Sequence, residues 1–124
     1  MSTSIQDIER LLPVLETAFQ AEQMKMSRVA RRIADLQQAL ADLARPKPTE
    51  PLSAATLAGA DLRWDAWAHE RKLSINRQLA LTYVERERMR KNLIAALSKL
   101  EAAKQVHKRA HAAAHQIAQR RASW

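Results

Sequence analysis

Three histidines at four-residue spacing, His107, His111 and His115, are the side chains of this chain that come closest to chemistry. Residues four apart share a helix face, and two imidazoles so placed can share a metal ion. No carboxylate or fourth ligand lies near them in sequence, so the spacing alone assigns no metal site. The same stripe reads as exposed positions in a basic, alanine-rich helix, or as a pH-dependent contact. His69-Glu70 lacks the second histidine of a metalloprotease helix, and a single glycine cannot build a phosphate-cradling loop. Without cysteine there is no thiolate ligand, disulfide or thiol nucleophile. The sequence therefore predicts no catalytic residue, no metal and no cofactor. It predicts contact rather than catalysis.

Residues that bind by charge are plentiful. The formal net charge is +8, and all of it falls beyond residue 50, because acids and bases balance before that point. From Ala102 to Trp124, Lys104, Lys108, Arg109, Arg120 and Arg121 stand with no acidic side chain among them. Such asymmetry points to an anionic partner for the second half. A solvated helix face kept soluble by its cations is the alternative. Arg86, Arg88, Arg90 and Lys91 enlarge the basic set, but Glu85, Glu87 and Glu101 interrupt it. No basic block precedes a zipper, which weighs against nucleic acid as the partner.

Trp64 and Trp67 are three apart, hence on one helix face, and tryptophan concentrates at interaction hot spots. Either both clamp a turn over Leu40 and Leu43, or at least one ring anchors a protein partner with Arg63 and His69 at its rim.

The elements that position these residues are written in the heptads. Alternating steps of three and four from Ile5 give Ile8, Leu12, Leu15, Phe19, Glu22, Met26, Val29, Ile33, Leu36, Leu40 and Leu43, all apolar except Glu22. A 3.5-residue period keeps a narrow seam on one side of an under-wound helix and builds a left-handed coiled coil. A first helix is expected over about 4–45, opened by a capping-box-like Ser4 with Asp7. Pro13 predicts a kink or a later effective start, off the seam. Glu22 predicts a cation across the interface or a wet, splayed spot. Pro46, Pro48 and Pro51 make 46–52 a turn. A short helical piece over 53–58 is expected to stop at Gly59, with Asp61 capping a long helix over about 62–122.

The second seam is poorer: Ile75, Leu79, Thr82, Met89, Leu93, Ala96, Leu100, Ala103, Ala110, Ala114 and Ile117, interrupted by Arg86 and His107. Its excess length predicts about twenty final residues with no partner in the chain.

The expected fold is all-α, an elongated two-helix antiparallel coiled-coil hairpin forming a single domain over 1–124. At about 1.5 Å per residue the second helix sets a rod of roughly 90–100 Å. Small-angle scattering should report that rod, with circular dichroism almost wholly helical. A radius of gyration near that of a compact globule, about 14 Å for this length, would contradict it. The N-terminal residues lack the basic-then-apolar pattern of a secretory signal, and no apolar run reaches membrane-spanning length. A cytoplasmic protein is the expectation. One buried stripe between two helices stabilises weakly, so docking or self-association is expected as well.

The layout resembles the flagellar type III export stalk proteins, the FliJ family. The resemblance rests on a heptad first helix, a polar turn and a longer second helix opened by Leu62-Arg63-Trp64-Asp65-Ala66-Trp67. It spans nearly the whole chain, though Glu70 and Arg71 stand where apolar residues are expected one turn on. What it implies is a non-enzymatic stalk coupling an export ATPase hexamer to a membrane-embedded export gate. The end carrying both termini would enter the ring, and the turn end would meet the gate. A homodimeric four-helix bundle and a basic nucleic-acid-binding helical protein are the rival readings.

Overall fold

The computed structural model describes residues 3–44 and 54–124, and these form two helices, α1 (Thr3–Leu43) and α2 (Ala54–Ala122), packed as a helical hairpin. Among the described residues there is no strand. No described helix is long and apolar enough to cross a membrane. The proline-rich turn over 46–52 and the expected helix end at Arg45 lie outside the described residues. Ala44 closes the last turn of α1, donating its backbone N–H to Leu40 O and Ala41 O.

Helix α1 follows its heptads. Val29 and Ile33 are buried, the other ten seam positions are half-buried, and almost every remaining described position of the helix is exposed. The described helix runs from Thr3, within a residue of the expected start, but its first turn holds no acid, so Asp7 falls beyond that turn. Nor does Pro13 delay the helix: it sits ten residues inside α1 on the exposed side. Thr17 Oγ1 donates to the Pro13 carbonyl at 2.8 Å, a bond within the same helix. Glu22 meets a cation, but on its own helix. Lys25 Nζ lies 3.4 Å from Glu22 Oε1, while Oε2 is buried without a hydrogen-bond partner.

Helix α2 differs from expectation at its start. It is continuous from Ala54, and Gly59 adopts no left-handed conformation. Neither a separate piece over 53–58 nor a cap at Asp61 exists in the described residues. Glycine inside a helix costs about 1 kcal/mol relative to alanine. Here Ala54, Ala55, Ala58 and Ala60 surround it, and a Cβ built on Gly59 meets nothing within 4 Å, so nothing forces the chain to break.

Two compact units divide the hairpin, one combining residues 1–27 with 88–124 and the other covering 28–87. In the unit over 28–87 the core is Val29 and Ile33 from α1 with Ala68, Ile75, Leu79 and Thr82 from α2, and Ile75 is 0% exposed. The buried Thr82 hydroxyl is satisfied by its own helix, donating to Gln78 O at 2.6 Å. At the rim, Gln37 Nε2 donates to Tyr83 Oη at 3.2 Å, and the Arg86 guanidinium stands 4.9 Å above the Tyr83 ring. In the unit of 1–27 with 88–124 the half-buried seam from Ile5 to Met26 faces Met89, Leu93, Ala96, Ala103, His107 and Ala110, and among the described residues of this unit only Leu100 is buried.

Candidate functional site

The seam of α1 places Ile5, Ile8 and Leu12 against α2, and Glu9, next to Ile8, therefore stands at the edge of the interface. On α2 the seam position is His107, with His111 one turn on. These three side chains meet. His107 Nε2 lies 3.2 Å and His111 Nε2 3.4 Å from the same Glu9 oxygen, Oε1. The two imidazoles pack edge to face with centroids 4.4 Å apart. The carboxylate missing from the local sequence is thus supplied by the other helix, 98 positions away from His107. His115 stays apart, its Nε2 3.1 Å from Gln119 Nε2 on the same helix.

The hydrogen bonds from His107, then from His111, hold the Glu9 carboxyl below its ordinary value of 4.5. A depressed carboxyl favours the paired state above the ordinary value, and that preference is lost as pH falls from 4.5 through the lowered one. Carboxyl-detected NMR should therefore place the Glu9 midpoint below 4.5, and the His107→Ala/His111→Ala double variant should return it there. An identical midpoint in both proteins would show that the imidazoles do not hold it. Because Glu9 is solvated, its protonation should hardly move the global unfolding transition.

The basic candidates Lys104, Lys108, Arg109, Arg120 and Arg121 are all exposed on α2. Lys104 Nζ is 3.7 Å from Glu101, a surface pair of small energetic consequence. Every residue from His111 to Trp124 is exposed, including Ala114 and Ile117, which had been expected to extend the seam. The segment without cover is therefore shorter than the twenty residues expected, since His107 and Ala110 remain half-buried. Arg120 and Arg121 occupy the last turn, where cations complement the helix dipole.

In the unit over 28–87, Trp64 is half-buried and Trp67 is 52% exposed. The rings touch, with centroids 5.1 Å apart and planes tilted by 37°. Trp64 is thus partly covered, with Trp67 against it, while the Trp67 ring is open to solvent. Arg63 and His69 are exposed beside them.

One feature escaped the sequence. Arg28, Arg31 and Arg32 of α1, with Arg71 of α2 and Asp35, line a shallow groove in the same unit. The first half of the chain is neutral overall, and that balance hid a local run of arginines at steps of one, three and four.

Comparisons with protein-family models, curated proteins and solved structures give no match to this chain.

Proposed function

We propose that this chain is a non-enzymatic coiled-coil stalk or adaptor of a flagellar or related type III export apparatus, coupling an export ATPase ring to the export gate. The observation that carries the reading is the segment from His111 to Trp124. It is helical through Ala122 and exposed throughout, and it bears Arg120 and Arg121 without one acid. A helix of that kind fits an acid-lined opening, because its cations need no rearrangement to meet carboxylates. The exposed Trp67 beside Trp64 supplies a separate aromatic contact suited to a gate protein. The location that follows is cytoplasmic, peripheral to the export machinery at the membrane.

A second reading, self-association into a four-helix bundle, is favoured by Leu81 and Val84. They stand three apart on α2 and are 72% and 71% exposed. Sedimentation decides between the two readings. A stalk is expected to be monomeric at micromolar concentration, and to be captured with an export ATPase from a flagellated extract. A tight dimer that captures no ATPase would replace the proposal. Duplex DNA should bind only weakly and lose affinity steeply with salt. A specific sub-micromolar site at physiological salt would instead make the chain a nucleic-acid-binding protein.

A further inference from the structure

Among the described residues, Glu9, His107 and His111 form a group able to hold a metal ion, with one ligand atom from each residue lying within 4.8 Å of the others. We infer that they form a binding site for a borderline divalent transition-metal ion, with Zn2+ as the reference ligand, that clips the first turns of α1 to α2.

The donor set selects the metal class. Two imidazole nitrogens and one carboxylate oxygen suit Zn2+, Ni2+, Co2+ or Cu2+. An all-oxygen shell would be needed for Mg2+ or Ca2+. Two edges of the coordination figure are already set. At bond lengths of about 2.0–2.1 Å, tetrahedral ligands stand about 3.3–3.4 Å apart. The Glu9 oxygen lies 3.2 Å from one imidazole nitrogen and 3.4 Å from the other. The third edge, between the two nitrogens, needs only side-chain adjustment. Side-chain exposures of 27% for His107, 55% for His111 and 50% for Glu9 leave the rotamers free to make it. The same exposure leaves the fourth position to water, so the site is open rather than closed.

The scaffold does part of the work. His107 and His111 are one turn apart on a continuous helix, which fixes their spacing before any metal arrives. Glu9 is brought in by the packing of Ile8 and Leu12, so the complete donor set exists only when α1 lies on α2. Metal binding therefore favours the packed state of this unit by mass action. The carboxylate also offsets part of the charge that an ion brings beside Lys104 and Lys108.

Zinc chloride titrated into the untagged full chain at neutral pH, followed by calorimetry and imidazole NMR, tests the assignment. One ion per chain is expected, with the His107 and His111 ring signals shifting together and the melting temperature rising. His107→Ala, His111→Ala and Glu9→Gln should each weaken binding at least tenfold and abolish the rise. Each should keep full helicity in circular dichroism, because none of the three side chains is buried. His115→Ala should change nothing. No binding at millimolar zinc would overturn the site. Loss on His115→Ala equal to that on His107→Ala, or binding indifferent to Glu9→Gln, would overturn it equally.

Discussion

Replacing Ile75 by alanine is expected to lower the unfolding free energy by about 2–5 kcal/mol, the range for removing a buried isoleucine side chain. Among the described residues Ile75 is the one large side chain with no exposure at all, in a unit whose other buried residues are few. Two helices share a single buried stripe, so no second layer can relax into the vacated space. Domains of this size retain only about 5–15 kcal/mol in total, and a loss of that order leaves the hairpin close to unfolding. Urea denaturation followed by circular dichroism measures it. Leu81→Ala is the control: with 72% exposure it should change stability by no more than about 0.5 kcal/mol. Similar midpoints for the two variants would mean that the helices do not pack along the seam described.

Trp67→Ala should separate binding from folding. The ring is half exposed and touches Trp64, so its removal is expected to cost about 1 kcal/mol of stability, the value of one aromatic pair. If the proposed stalk role holds, affinity for its gate-side partner should fall by about 2 kcal/mol or more, roughly thirtyfold, as at other tryptophan hot spots. Trp64→Ala should show the opposite balance, since its ring is partly covered within the hairpin. Isothermal titration with thermal melts of both variants distinguishes them. If Trp67→Ala binds as well as the parent, the aromatic pair is structural and the partner contact lies elsewhere.

The helices and the α1 interface were legible in the sequence because a bulky seam at a 3.5 period has one physical solution. All of Ile5 to Leu43 that the heptads selected is covered, Glu22 included. The α2 interface was half legible. Ile75, Leu79, Thr82 and Leu100 were found, whereas Ala68 and Gln78 were not. Alanine is common on every face of an alanine-rich helix, so periodicity carries little signal there. Ala114 and Ile117 continue the pattern but are exposed, because a seam position is buried only where the other helix reaches it. Gly59 misled for a related reason: its freedom to break a helix is not an obligation to do so.

The metal-competent cluster was hidden by distance. His107 and His111 announced themselves by spacing, but Glu9 joins them only through antiparallel packing, and no local pattern encodes that register. Charge counting likewise located the basic end of α2 and missed the groove of Arg28, Arg31, Arg32 and Arg71, which needs both helices.

The claim that the basic, exposed end of α2 engages an ATPase ring is tested most directly by the ATP hydrolysis rate of a purified flagellar export ATPase. The full chain is compared with one ending at His111. The shortened chain keeps every half-buried residue of both helices, together with the Glu9 cluster, so its helicity and melting temperature should equal those of the full chain. A stalk predicts that the full chain binds the hexamer and stimulates hydrolysis, and that the shortened chain does neither. Equal stimulation by both chains, or none by either, would contradict it.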